Sequence, residues 1–189
     1  MDQLSALGAA RSEFDRRLRQ VQAGDWDRST PCEGWTVRDL VVHVLSGSRM
    51  AAALFGGCST EAAVAIVDAE VFPDDPIATF QEVADLAGSA VAVDGAMDMI
   101  VHHPAGDFPG SVMLGFLTAD YALHAWDLAR AIGADETLPE NLVAAIWANI
   151  EPLIPAIGQI GVFGSGPSGT VPDDAPLQTR LLDATGRRP

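Results

Sequence analysis

The stretch of residues 111–132 constrains the fold most, because its apolar side chains recur at helical spacing along its whole length. Ser111 can cap such a helix at its start, and Gly133 can end it. The apolar positions are Met113, Phe116, Leu117, Leu123 and Leu128. A helix of this length must bury its apolar face against other helices, which predicts a helical bundle.

The rest of the chain supplies amphipathic segments that are separated by Gly and Pro breakers. We expect helices over residues 3–23, 36–55, 61–70, 77–93, 111–132, 139–153 and 177–184. Thr36 and Asp75 are expected to cap the second and the fourth of them, and residues 97–102 to form a brief strand. The expected fold class is therefore all-α, a four-helix bundle with short extra helices.

The chain of 189 residues is expected to form one domain with a substantial core, since 48% of its residues are hydrophobic. Residues 1–157 are assigned to the helical bundle. Residues 158–189 begin with a segment rich in Gly, Pro and Ser. We expect them to form a tail that packs on this domain or extends from it.

The charge balance excludes some classes of partner, because 26 Asp and Glu stand against 11 Arg and no Lys, a net charge of −15. Phosphate backbones and anionic membrane surfaces repel such a chain, so neither nucleic acid nor membrane is an expected partner. The N-terminal segment lacks the apolar core of a signal peptide, and no stretch approaches the ~20 apolar residues that span a bilayer. Cys32 and Cys58 lie far apart and do not indicate a disulfide framework. The expected compartment is the cytoplasm.

The candidate residues for chemistry centre on two of the four histidines. His43 lies at the edge of the apolar face of its helix, so its imidazole is expected to point partly inward. Asp120, His124 and Asp127 share one face of the helix over 111–132. A carboxylate buried there is costly unless a cation or hydrogen bonds compensate it, and a divalent metal would compensate it. We therefore hypothesise a metal site whose three ligands are His43, Asp120 and His124, with coordination positions left open.

The same residues allow a plainer interpretation, in which His43 is a hydrogen-bonded core histidine and Asp120 and Asp127 face water. Asp127 either accepts a hydrogen bond from a ligand imidazole or lies on the surface beside Arg130. The adjacent histidines at 102 and 103 are assigned to a surface loop.

Several residues near these motifs are expected to have structural roles. Cys32 is interpreted as a small packed residue, with a redox role as the alternative. Trp35 and Trp126 are expected to be packing anchors. Arg187 and Arg188 are expected to be solvated at the end of the chain, unless the tail folds back toward an anionic ligand.

Two motifs carry a resemblance to a known family. Residues 30–40 read TPCEGWTVRDL and are followed by His43, and residues 120–130 read DYALHAWDLAR. Together they resemble the motifs of the mycothiol-dependent maleylpyruvate isomerase N-terminal family, within the wider DinB-like metal-binding superfamily. The tail, from VPDDAP at 171–176 to Gly186 and Arg187, looks like an actinobacterial subgroup called simply metal-binding protein.

This resemblance implies a DinB-like four-helix bundle that holds one divalent ion per chain, zinc or nickel. His43 matches the histidine of the family's second helix, and Asp120 and His124 match its E-x-x-x-H pair. The chain departs from the family by having Asp for Glu at 120, which shortens that ligand by one methylene. It also has only a short tail where the isomerase carries an additional C-terminal domain, so maleylpyruvate isomerisation does not transfer directly.

The resemblance further implies a thiol-dependent transferase or isomerase, with mycothiol as a cosubstrate that attacks a small electrophilic molecule. The expected partners are thus a small-molecule thiol and an electrophile, and a homodimer is left open. Two alternatives remain. One is a protein that holds metal and ligand, or forms a structural dimer, without turnover, and the other is a metal-dependent hydrolase.

Overall fold

The computed structural model of this chain describes residues 1–157 and 165–189. The helices are α1 (Gln3–Leu18), α2 (Val37–Phe55), α3 (Thr60–Ala69), α4 (Pro76–Val91), α5 (Gly110–Ile132), α6 (Glu140–Ile150) and α7 (Leu177–Ala184). A 3-10 helix, Glu151–Ala156, continues α6. Two short strands, β1 (Ile100–His103) and β2 (Gly106–Pro109), pair antiparallel as a hairpin before α5.

Four of these helices form the bundle that the sequence predicts: α5 packs on α1 and α2, and α4 packs on α2 and α1. Aromatic rings join three of them in the core. The Phe80 ring lies 4.8 Å from that of Phe14 and 5.5 Å from that of Tyr121. The all-α fold class is therefore confirmed. Within the described residues, no helix has the length and apolar character needed to cross a membrane.

The start of α2 follows from local sequence. The Thr36 hydroxyl accepts the Asp39 amide proton, and the Asp39 carboxylate accepts that of Thr36, which together make a capping box. Asp75 likewise accepts from the Ala78 amide at the start of α4. Both predicted caps are confirmed. The capping box sets where α2 begins, and so which face of the helix carries His43.

The start of α5 differs from the prediction, because Ser111 does not cap it. The helix begins at Gly110 without a side-chain cap. The Gly110 amide instead donates to the Met99 carbonyl at 2.8 Å, and the Ser111 amide donates to the Met97 carbonyl at 3.0 Å. Backbone carbonyls next to β1 thus satisfy the first N–H groups of the helix. Gly133 ends the helix in the left-handed conformation, as predicted.

Three other boundaries differ from the prediction. Helix α1 ends at Leu18 rather than near 23, and the helix expected to reach 153 changes to a 3-10 helix at Glu151. The strand expected over 97–102 corresponds to β1, which covers Ile100–His103. Pro152 explains the second difference, because it has no amide proton to continue the α-helical pattern. Within the expected tail, residues 158–164 lie outside the described residues.

Candidate metal centre

The centre lies between α2 and α5, where His43 from the first helix meets Asp120 and His124 from the second. His43 Nε2 lies 3.0 Å from Asp120 Oδ1, and His124 Nε2 lies 3.4 Å from the same oxygen. The two imidazole rings meet edge to face with centroids 4.8 Å apart. One donor atom from each residue lies within 4.8 Å of the other two. The structure thus brings together the three residues that the sequence singled out.

The carboxylate of Asp120, one methylene shorter than that of Glu, reaches both imidazoles. Gly47, one turn after His43 on α2, faces this carboxylate. A Cβ atom at Gly47 would lie 3.8 Å from Asp120 Oδ2, which is an ordinary contact distance. The glycine therefore leaves a small free volume beside Asp120, but alanine would also fit there.

The three side chains differ in their access to solvent. The exposed fraction is 37% for the His43 side chain, 25% for Asp120 and 8% for His124. The centre is therefore open to solvent at His43 and Asp120 and closed behind His124. A small molecule could approach a bound ion only from the open side.

Asp127 fixes the orientation of His124 from behind. Its Oδ2 lies 3.0 Å from His124 Nδ1, and its side chain is fully buried. Because Nδ1–H donates to this carboxylate, Nε2 is the nitrogen that faces Asp120. The hydrogen-bonded interpretation of Asp127 agrees with this geometry, whereas an exposed Asp127 beside Arg130 does not.

Arg187, near the end of the chain, supplies the cation that the buried Asp127 requires. Its Nη2 donates to Asp127 Oδ2 at 2.8 Å, and its Nε donates to Asp127 Oδ1 at 3.3 Å. Arg130 instead pairs with Glu136. The expectation of a solvated Arg187 is therefore wrong: the tail folds back, and the guanidinium binds a carboxylate that cannot reach water. The sequence indicates that a buried Asp needs a cation, but not which of the eleven arginines supplies it.

In this cluster, charged and hydrogen-bonded neighbours outweigh burial in shifting the pKa values of Asp120, Asp127 and His124. Burial alone would raise the pKa of Asp120, but the charges and hydrogen bonds of His43 and His124 hold it well below its usual value. Burial likewise opposes ionisation of Asp127, but Arg187 and His124 lower its pKa to about 2. Burial would lower the pKa of His124, yet Asp120 and Asp127 raise it well above its usual value. Without a metal, this raised pKa favours a second proton on the His124 ring, whose charge compensates Asp120.

Cys32 forms a second cluster with the other side of His124. Its Sγ lies 3.4 Å from Asp127 Oδ2 and 4.0 Å from His124 Nδ1, so Cys32, His124 and Asp127 also stand close enough to share an ion. However, Asp127 is already neutralised by Arg187, and Nδ1 is already bonded to Asp127. The cluster of His43, Asp120 and His124 is the better fit, since its two Nε2 atoms and one carboxylate form a donor set typical of zinc.

The tryptophans are placed as packing residues. Trp35 packs against the core, and its ring also covers the centre: the centroid lies 4.8 Å from that of His43 and 5.9 Å from that of His124. Trp126 is buried, and the Arg130 guanidinium lies 4.2 Å from its ring centroid. The proximity of Trp35 and Cys32 to the histidines was not expected from the sequence, which shows only that both precede α2.

The remaining two histidines, expected in a surface loop, lie in strand β1 of the hairpin. His102 Nδ1 lies 2.8 Å from Asp107 Oδ1 on the facing strand, and both side chains are exposed. Among the described residues, neither His102 nor His103 belongs to a cluster that could hold a metal ion.

Comparison with known sequences adds independent information. A sequence profile of the mycothiol maleylpyruvate isomerase N-terminal domain matches residues 7–129, a range that contains His43, Asp120, His124 and Asp127. Two Mycobacterium tuberculosis proteins, from strains CDC 1551 and H37Rv and both described as uncharacterized, are each 31% identical over 176 residues. The matched region covers 93% of this chain and 89% of each relative.

Two solved structures resemble the fold. Both are crystal structures of mycothiol-dependent maleylpyruvate isomerase, one of them of a histidine-to-alanine mutant. Their TM-scores are 0.63 and, for the mutant, 0.64, with sequence identities of 22% and 21%. Each match covers 78% of this chain and 68% of the isomerase. At this identity the likeness shows the fold alone, which is DinB-like.

Proposed function

Because this chain belongs to the mycothiol maleylpyruvate isomerase N-terminal domain family, we propose that it binds one divalent metal ion and acts as a thiol-dependent transferase or isomerase. The observation that carries the proposal is the meeting of His43, Asp120 and His124 in a half-open site. Mycothiol is the proposed cosubstrate because the matching family and the similar solved structures carry its name. The second substrate is proposed to be a small electrophile.

The three residues would hold the ion through His43 Nε2, His124 Nε2 and an oxygen of Asp120. Three protein ligands leave coordination positions open, as in catalytic rather than structural sites. Two imidazoles and a carboxylate suit zinc or nickel. A divalent ion held there would supply Lewis-acid chemistry, which would lower the pKa of a coordinated thiol.

The surrounding residues prepare the site for this chemistry. Asp127 accepts the Nδ1 proton of His124 and so holds the imidazole in the tautomer that leaves Nε2 free. Trp35 packs against the rings of both histidines. The exposed fractions of His43 and Asp120 leave room for a thiol and an electrophile to approach these two side chains.

Hydrolysis is less well supported than thiol transfer. It requires a base that can accept a proton from water. Asp127 is buried and bonded to Arg187 and His124, so it is not available for that role. A thiol also has to lose a proton, but its pKa of about 8.5 lies far below that of water, about 15.7, so solvent water could take the proton of a thiol without a side-chain base. This difference favours the first function.

The test measures metal content and thiol chemistry on the same preparation. Protein purified without a His-tag is assayed with mycothiol and monochlorobimane, with and without removal of metal by a chelator. The proposal expects formation of the bimane conjugate that is lost with the metal and returns on adding zinc or nickel. Binding of mycothiol without any conjugate would instead support a non-catalytic binding protein.

The cytoplasmic location and the homodimer also remain proposals.

A further inference from the structure

The end of the chain is anchored against α5 next to the candidate metal centre. All three guanidinium nitrogens of Arg187 are used, since Nε and Nη2 donate to Asp127 and Nη1 donates to the Thr185 carbonyl at 3.0 Å. Its side chain is only 10% exposed. A guanidinium that donates a hydrogen bond from each of its three nitrogens is a fixed element of the structure rather than a mobile terminal charge.

The segment that carries Arg187 is itself held in place. Thr185 is buried, and its hydroxyl donates to carbonyls of the last turn of α7. Asp183 accepts from the Ser168 amide and from Arg188. The position of Arg187 is therefore set by the fold of the tail around α7.

A continuous series of contacts leads from this tail to the centre. Arg187 binds both carboxylate oxygens of Asp127, and Asp127 Oδ2 lies 3.0 Å from His124 Nδ1. His124 Nε2, on the other side of the ring, faces Asp120 Oδ1 at 3.4 Å. A carboxylate that accepts from two nitrogens of one guanidinium cannot rotate about its own Cβ–Cγ bond without breaking both bonds.

We propose that Arg187 is a positioning residue of the metal centre: it fixes the plane of the Asp127 carboxylate, which in turn holds His124 with Nε2 toward the ion. Arg187 lies outside residues 7–129, so the family match does not assign it this role. The proposal rests on the proposed function for its metal readout. It has a second readout that needs no metal.

The metal readout is a competition titration of zinc against a chelating dye, at a temperature where circular dichroism shows each variant folded. Arg187→Met is expected to weaken zinc binding by about 10–100-fold, the usual effect of losing a group that orients a ligand. Arg187→Lys keeps the charge but not the two-pronged geometry, so its affinity should lie between those of Arg187→Met and the wild type. The matched control is Arg19→Met, which removes an exposed arginine paired with Asp15 on α1 and should change affinity less than twofold.

The second readout is the Nδ1–H proton of His124 in the metal-free protein, observed by NMR with labelled histidine and assigned by its absence in His124→Gln. The fixed acceptor should give a sharp downfield resonance in the wild type that exchange with water broadens in Arg187→Met. A sharp resonance in that variant, or zinc affinity within threefold of the wild type, would overturn the proposal. If Arg187→Met fails to fold, Arg187→Lys serves as the test variant. A zinc affinity of Arg187→Lys equal to that of the wild type would then contradict the positioning role of Arg187. If the wild type binds no metal, the proposed function fails while the resonance still tests Arg187.

Discussion

Replacing Gly110 with alanine tests how α5, the helix that carries most of the candidate centre, is seated in the fold. A Cβ atom at Gly110 would lie 1.9 Å from the Ala96 carbonyl oxygen and 3.0 Å from Phe55 Cε1. Ordinary contacts begin at 3.4 Å, so the carbonyl would have to withdraw by 3.4 − 1.9 = 1.5 Å. That carbonyl belongs to the backbone that also receives the first amide protons of α5, so it cannot move alone.

The cost of this clash follows from its size. Overpacking of this kind typically costs about 1–3 kcal/mol. For a chain of 189 residues, this lowers the Tm by roughly 2–12 °C. The change lies ten residues before Asp120 on the same helix, so zinc affinity should change less than threefold once the variant is folded.

Gly8→Ala is the matched control. Gly8 lies in α1, is exposed, and has no atom within 4 Å of the added Cβ. The same substitution there should stabilise the protein by about 0.5–1 kcal/mol, because glycine within a helix carries an entropic cost. Thermal unfolding followed by circular dichroism at fixed metal content measures both variants. A Gly110→Ala protein as stable as the wild type would refute the close packing of α5 on this turn.

Three further predictions test other parts of the structure. Gly47→Ala should keep the metal, because its Cβ fits 3.8 Å from Asp120 Oδ2. It should also raise the free energy of unfolding by about 0.5–1 kcal/mol, because glycine within a helix carries an entropic cost. Loss of metal in elemental analysis of this variant would show that the space beside Asp120 is needed. The apparent zinc affinity should fall as the pH is lowered, by up to about tenfold per pH unit, because zinc must displace a proton from His124, whose pKa is raised. Competition titrations at a series of pH values measure this dependence, and the opposite trend would contradict the coupling. Arg17→Met should destabilise the protein by about 3–5 kcal/mol in urea unfolding, because buried Arg17 pairs with the Glu13 carboxylate and donates to three backbone carbonyls. The partly exposed Arg16→Met should cost less than about 1 kcal/mol, and equal losses in the two variants would count against this assignment.

The features of the fold that depend on local interactions were predictable from the sequence. The caps at Thr36 and Asp75 are formed by residues within one turn of each helix, so the sequence contains all the information they need. The start of α5 was not predictable in the same way. Its first amides bond to backbone before the hairpin, and no side-chain pattern records those bonds.

In the candidate centre, too, the features set by local spacing were predictable and those set by tertiary packing were not. Asp120, His124 and Asp127 share a helix face by spacing alone, and the inward tilt of His43 follows from the apolar pattern of α2. That α2 and α5 meet at these residues depends on packing, and it entered the sequence interpretation as a hypothesis. Arg187 lies 60 residues from Asp127 and becomes its partner only through the fold of the tail.

Metal content of the purified protein and its single-site variants tests the central claim most directly. Elemental analysis of protein purified without a His-tag should find close to one divalent ion per chain in the wild type. His43→Ala, Asp120→Asn and His124→Ala should each lose it, because each removes one of the three proposed ligands. His102→Ala should retain it, since His102 lies in the exposed hairpin. A His43→Ala protein that still holds one ion per chain would contradict the account.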